Sequence, residues 1–456
     1  MNYQNSGHQN VPIKAVSDFV LNLAAEAIPV SVRRKAALLL LDTLGICMAA
    51  APMEAGVIAR NAAGFLYGTG HRDHSARMLF DGRRVSLAGA AFAAASQIDN
   101  LDGHDGYNPT KGHIGVAVVP ALAAVAEHLP DLDGRDALAA LIVGYEVAGR
   151  AGIALYASVS DYHTSGAWNA LGVVALAARL RANSPAQLRE ALGIAEYHGP
   201  RSQMMREIAT PTMLHDGSGM GALVGLSSVV LAECGFTGAP AITVESSDTA
   251  AHWADLGHFW QVEHQYVKPY PVCRWAHAAI DAARQLCLDH NLTHDQITAI
   301  RIRSFHNAVQ LFPTMPDTTS KAQYSLPFAV GLMIAHGRIG LEHISGAGLS
   351  DPSIAGIVAK TVVIEEPRHE ARFPIGRWAD VEFTLTDGRV LASGDVHARG
   401  GPERPFTEDD IVAKYMEFSV PIVGQARADA IHDAVLGLTA AGSRFADLAV
   451  HLYDTT

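Results

Sequence analysis

The sequence predicts a mainly α protein: a large all-helical domain built from the N- and C-terminal segments, with an α+β domain inserted between them. Three observations carry this. Apolar residues recur at helical spacing through the first 260 residues, alternating strand patterns begin only after about residue 265, and helical spacing returns beyond Gly400-Gly401-Pro402. The 456 residues are 49% hydrophobic and 18% charged, a globular composition able to bury a sizeable core. The expected boundaries are 1–265, 266–400 and 401–456.

Each element follows from its own pattern. Residues 14–27 place Val16, Phe19, Val20, Leu23 and Ala24 on one helical face. After Pro29, Ser31 is the expected N-cap of a helix running through RRKAALLLLDTLGICMAA. Further helices are expected at 86–98, 115–128, 134–156, 165–182, 185–197 and 218–234, the last closed by Gly235. Residues 297–305 and 361–365 read as strands, and 379–386 with 389–393 as a hairpin turning at Asp387-Gly388. Helices at 276–289, 325–336 and 351–358 interleave with them, and helices at 407–418 and 426–440 finish the chain. No fixed-period repeat is present.

Lys plus Arg number 34 against 46 Asp plus Glu, a net charge of −12, which argues against nucleic acid or an anionic membrane surface as partner. The longest apolar stretch, Ala36 to Met53, is interrupted by Asp42 and Thr43 and is too short and polar for a membrane span. The first ten residues are polar and carry no apolar signal segment. Cys47, Cys234, Cys273 and Cys287 lack metal-finger spacing, so a reduced, cytoplasmic setting is expected. The 22 histidines titrate near neutral pH and are worth tracing to positions.

Four segments could carry chemistry. In 98–113, Asp99, Asp102 and Asp105 stand three apart, with His104 and His113 close by. Acids this close repel one another, which favours one of them holding its proton and suits acid/base work. The same acids could simply form turns at a solvated helix end, or bind a divalent metal for a diphosphate substrate. His163 precedes an Ala-rich helix whose N-terminus favours an anion, and it could equally be a plain cap. His215 stands at a loop-to-helix junction rich in glycine, downstream of Arg201 and Arg206. Lys268, Arg274 and His277 open the α+β unit at a domain junction, where clefts form, or else make up a linker with incidental charge. Cys273 reads as packing. No Gly-x-Ser-x-Gly, His-Glu-x-x-His or strand-linked Gly-x-Gly-x-x-Gly motif is present.

In this order the segments resemble the MmgE/PrpD family, which includes 2-methylcitrate dehydratase, cis-aconitate decarboxylase and iminodisuccinate epimerase. Leu101-Asp-Gly-His-Asp105, Gly112-His113, Gly144-Tyr-Glu-Val with Arg150, His163-Thr-Ser and Leu214-His215-x-Gly217 each look like a family segment. Lys268-x-Tyr-Pro-x-Cys273 with His277 is the most specific, and Gln323-Tyr-Ser-Leu-Pro-Phe328 is similar to the family's Phe-Ser-x-x-Tyr helix. The resemblance implies a helical domain with an α+β lid, a homodimer, no metal or organic cofactor, and an active site between the domains. It implies Asp102, Asp105, His113, His163 and Lys268 as catalytic candidates. His104, Thr212, His215, Arg274, His277 and Tyr324 are the substrate-binding candidates.

Three positions depart from the pattern. Thr212 replaces a lysine of the decarboxylase members, Phe328 replaces a tyrosine with Tyr324 one turn earlier, and His104-Asp105-Gly106 replaces Asp-Asp-Thr. The expected pocket thereby loses a cation and a phenol, which counts against decarboxylation. The expected chemistry is proton removal from carbon next to a carboxylate of a small di- or tricarboxylate, with the charge met by Lys268, Arg274 and histidines. Asp105 or Asp102 is the expected base or relay, and His163 or His113 the expected acid. A 2-methylcitrate-dehydratase-like lyase leads, ahead of an iminodisuccinate-type epimerase and a cis-aconitate-type decarboxylase. A magnesium-dependent diphosphate enzyme and a non-catalytic helical interaction protein are the remaining alternatives.

Overall fold

The computed structural model describes residues 11–455; the polar first ten residues lie outside them. Helices dominate. Val30–Ala50, Leu87–Asp99, Gly115–Ala126, Gly134–Ser158, Gly166–Leu180 and Ser218–Glu233 form the centre of the helical body. Gly134–Ser158 is long and apolar enough to cross a membrane, yet 94% of its apolar window is buried by neighbouring helices. Its closest partner is Gly166–Leu180. A Cβ on Gly172 would lie 2.4 Å from the Gly144 carbonyl oxygen, so glycine permits this approach of two backbones.

Several local expectations are revised. The first helix spans Val11–Asn22 rather than 14–27, and a separate single turn follows at Ala25–Ala27. Ser31 is not a cap: the helix begins at Val30 with Pro29 before it and no side-chain cap. Pro29 presets the entry dihedral, so the helix starts one residue before the serine. Helices Glu54–Leu66 and Met204–Ala209 were not expected, nor was the short hairpin of β1 (Ser75–Arg77) and β2 (Arg84–Ser86).

The chain then builds β3 (Ile297–Ser304), β4 (Thr361–Glu365), β5 (Trp378–Leu385), β6 (Val390–Ala392) and β7 (Val396–His397). Their order is β4-β3-β5-β6, with β7 also on β5; β3 and β4 are parallel and the other pairs antiparallel. Ile300 and Ile302 of β3 pair with Phe383 and Val381, all four buried. The opposite face carries Arg301–Glu382 and Arg303–Asp380 ion pairs at 2.8 and 2.7 Å. The expected hairpin turns with Gly388 at φ 87°, a conformation that suits glycine. Helix His277–His290 packs on β5 and against Leu326–His336.

After the sheet the chain returns to the helical body. Glu408–Val423, capped by Thr407, packs along Val30–Ala50. Lys414 from this helix reaches buried Asp42 at 2.6 Å and donates to the Gly103 carbonyl at 2.6 Å. The two crossings between helical body and sheet region lie side by side. Gly106 and Tyr266 exchange backbone hydrogen bonds at 3.0 and 2.8 Å, and Val267 N–H donates to the Gly400 carbonyl at 2.9 Å. A Cβ on Gly106 would lie 2.3 Å from the Tyr266 ring, so the contact requires glycine. These bonds set Lys268 against the turn that follows Leu87–Asp99.

Candidate functional site

A cavity of about 350 Å³, including the space that opens to solvent, lies at this junction. The helical body contributes Asp102, Lys111, His113, Tyr162 and Asp216; the crossing and sheet region contribute Tyr266, Lys268, Cys273, Arg274, Tyr324 and Arg377. Asp102, Lys111 and His215 all hold positive φ, at 55°, 53° and 45°. Non-glycine residues rarely sit there, and such strain concentrates at functional sites.

The three acids of the 98–113 segment separate. Asp102 faces the cavity, and the Lys268 ammonium donates to its carboxylate and, at 2.9 Å, to its carbonyl. Asp99 accepts the Ser218 backbone N–H at 3.1 Å, at the start of helix Ser218–Glu233. Burial and then the nearby Asp216 hold the Asp99 carboxyl well above the usual range. Asp105 lies behind the cavity wall, within 3.5 Å of the Thr43 hydroxyl and close to Tyr145. Burial, reinforced by Asp42, pushes it up to about 7. Burial is therefore the largest cause in both cases, ahead of repulsion within the trio. Asp99 and Asp102 each hold a donor on one oxygen, and the trio does not converge on one point.

His113 is the cavity's histidine with the best-defined tautomer. Its Nδ1 lies 2.7 Å from the Asp105 carbonyl oxygen, which can only accept, so Nδ1 carries the proton and Nε2 the lone pair in the neutral ring. Nε2 lies 3.6 Å from Asp216 Oδ2. Burial, with Lys268 adding to it, holds the imidazole below its ordinary pKa. Asp216 is oriented in turn by Ser165, whose hydroxyl and backbone N–H donate to Oδ1 at 2.6 and 3.2 Å. Fully buried His104 packs against His113 with the rings tilted by 60° and centroids 4.5 Å apart.

A second pair stands beside it. Tyr324 OH is 3.5 Å from His215 Nδ1. Burial pushes His215 down to about 4 and holds the phenol well above its usual pKa, so both are neutral at pH 7. His277 is fully buried, with its Nε2 3.0 Å from the Val272 carbonyl oxygen and its Nδ1 3.5 Å from Arg274 Nη1, so it stands behind Arg274 rather than on the cavity.

Six sequence candidates do not line the cavity: Asp105, His104, His215 and His277, already placed, and Thr212 and His163. Thr212 is tied to Glu207, its N–H at 2.7 Å and its hydroxyl at 3.1 Å. Hydrogen bonding on the short Met204–Ala209 helix thus turns it from the cavity. His163 does not line the cavity; its carbonyl accepts from Tyr156 OH at 2.7 Å, two residues before Ser165. Conversely, Asp216, Lys111, Tyr266 and Arg377 were not singled out. Asp216 adjoins His215 and Lys111 lies inside the 98–113 segment, so both were within reach. Arg377 carries no local signal.

The cavity's cations differ in their partners. Lys268 has Asp102. Among the described residues, Lys111, Arg274 and Arg377 have no carboxylate within 4.0 Å, although Arg274 and Arg377 are only 3% and 1% exposed. Outside the cavity, His369, Asp380 and Asp395 cluster as metal ligands would, but Arg303, Arg368 and Arg372 already pair with the two carboxylates.

The MmgE/PrpD N-terminal domain matches residues 14–255, and the MmgE/PrpD C-terminal domain matches residues 270–439. Lys268 and Tyr266 fall in the stretch between the two matches. The chain is similar to the cis-aconitate decarboxylase of Homo sapiens, 26% identical over 351 residues, covering 72% of this chain and 71% of that protein. It is also similar to the cis-aconitate decarboxylase of Aspergillus terreus, 21% identical over 454 residues and covering 91% of each.

Proposed function

The chain belongs to the MmgE/PrpD family, and from that premise we propose that it moves a proton at carbon next to a carboxylate of a small di- or tricarboxylate, as a dehydratase of the 2-methylcitrate type. The observation that carries the substrate class is the cavity itself: cations without counter-ions beside a neutral histidine whose lone pair is available.

Removal of the α-proton builds negative charge on the carboxylate oxygens, and fixed donors must meet it. Lys268 stands ready for this, held by Asp102. His113 Nε2 takes the proton, and Asp216 stabilises the imidazolium that forms. Loss of a β-hydroxyl needs a second group as acid. The neutral Tyr324 phenol, backed by His215, is that group. In this reading Asp105 acts through its backbone carbonyl by fixing the His113 tautomer, and its carboxyl stays outside the reaction.

Decarboxylation is the second reading, favoured by the names of the relatives. Against it, Thr212 brings no cation to the cavity, and Phe328 is fully buried and supplies no phenol. Incubating the enzyme with a panel of di- and tricarboxylates in D₂O tests both. A new alkene with water loss is expected. Exchange of deuterium without net loss of substrate would show an epimerase, and gas release a decarboxylase. No exchange with any acid would overturn the reading.

A further inference from the structure

Arg377 sits on the loop just before β5, and its side chain reaches the cavity from the sheet region. Its guanidinium is held by neutral groups alone. Nη1 donates to the carbonyls of Pro374 and Gly376, and the plane lies over the Phe373 ring at 4.8 Å. Its Nε is buried without any hydrogen-bond partner. Arg274 is held in the same manner, by the carbonyls of Arg399 and Ala398 at 2.6 and 3.3 Å, by His277 Nδ1 at 3.5 Å and over the Tyr266 ring at 4.4 Å, also with an unpartnered Nε. Facing them from the helical body, Lys111 rests over the Tyr162 ring at 4.0 Å. A buried cation without an acid is costly unless a ligand supplies the charge. Two such guanidiniums, with Glu403 acting on them only from beyond 4.0 Å, and an ammonium on one cavity make a donor set suited to an anion. The mutual repulsion of Lys111 and Arg377 adds to the effect of burial in lowering the lysine's pKa.

We propose that Arg377, with Lys111 across the cleft, binds the substrate carboxylate that is distal to the reacting carbon, and that this pair sets preference for multiply charged over singly charged acids. The inference rests on the carboxylate reading above. Planar bidentate binding of a carboxylate suits a guanidinium, and cations on opposite walls attract one another only through an anion between them.

The test is calorimetric binding of propane-1,2,3-tricarboxylate, with butyrate as the singly charged control, to the wild type, Arg377→Gln, Arg377→Lys and Lys111→Met. Arg377→Gln should weaken tricarboxylate binding by about 10- to 100-fold, the loss of a hydrogen bond to a charged group. Arg377→Lys should recover part of that loss, and butyrate affinity should change little. With a turnover substrate the loss should fall mainly in KM. Should Arg377→Gln not fold, the half-buried Lys111→Met gives the same comparison. Equal tricarboxylate affinity in the wild type and the folded variants, or no tricarboxylate binding by the wild type, overturns the proposal. A wild type that binds through Arg377 yet exchanges no deuterium keeps the anchor and sinks the reaction instead.

Discussion

The two walls of the cavity are built on different principles. On the helical-body side each acid/base group has a partner: Asp102 has Lys268, Asp216 has Ser165, and His113 has the Asp105 carbonyl. On the sheet side, Arg274 and Arg377 have carbonyls, aromatic faces and, for Arg274, the His277 ring, but no carboxylate within 4.0 Å. Paired groups hold a fixed geometry and protonation state. Unpaired cations hold a demand for charge. In the proposed reaction, proton removal therefore falls to the helical wall, while the sheet wall brings the Tyr324 acid and the two guanidiniums that, with Lys111 across the cleft, would recognise the substrate.

The largest test of that division is Lys268→Met. It strands the Asp102 carboxylate, only 3% exposed, without its cation. Breaking one side of a buried pair costs about 3–5 kcal/mol, which equilibrium denaturation would read. A second change, Asp102→Asn, should recover most of the stability and none of the activity. Asn tolerates the positive φ at this position, so the backbone is spared. Equal stability of the single and double variants would show that the pair does not organise this wall.

His113→Gln should come next, lowering kcat by about 10²- to 10⁴-fold with a small change in KM, as loss of a general base does. Steady-state turnover and deuterium exchange measure it. His163→Ala, outside the cavity, should change kcat far less; the reverse ranking would move the proton-transfer site. The pH profile sharpens this. His113 must be neutral to accept a proton, so kcat/KM should fall on the acid side. Its pKa is lowered by burial, so the limb should lie below the ordinary histidine value. His113→Gln should erase the limb from the residual activity.

Both walls were legible where their residues stand in clustered segments, as His113 and Asp102 show on one side and Lys268, Arg274 and Tyr324 on the other; Asp216 and Arg377 were not. His113, Lys268 and the acids of 98–113 stand in short clustered segments, where local spacing carries information. Their directions were hidden. The chain passes through a left-handed residue at Asp102, so equal spacing of Asp99, Asp102 and Asp105 does not put them on one face. Thr212 was misplaced because its partner Glu207 lies on a helix whose pattern is too short to read. Arg377 is the plainest case. Arg372 and Arg377 lie in one loop and look alike in sequence. Arg372 pairs with Asp395 at the surface, while Arg377 is buried without an acid. Only the packing of Phe373 and the turn at 374–377 distinguishes them.

The smallest expected effect concerns a carboxyl that the helical wall buries but does not expose to the cavity. Asp105 is pushed up to about 7, far above the ordinary aspartate value of 3.8, by burial and then by Asp42. Between those two values the unfolded chain is ionised and the folded chain keeps its proton. The contribution of Asp105 to stability should therefore decline as pH rises from about 4 to 7 and level off above. Asn does not ionise, so Asp105→Asn lacks this slope. Titrating groups not coupled to Asp105 act alike on both proteins and cancel in the difference. Measured by scanning calorimetry, the Tm of the variant minus that of the wild type should become more positive between pH 5 and pH 8. Parallel curves would mean that the buried carboxyl ionises freely, and that the helical wall is wetter behind His113 than its packing indicates. Asp42→Asn would be a poorer probe, because it leaves the Lys414 ammonium buried without its acid.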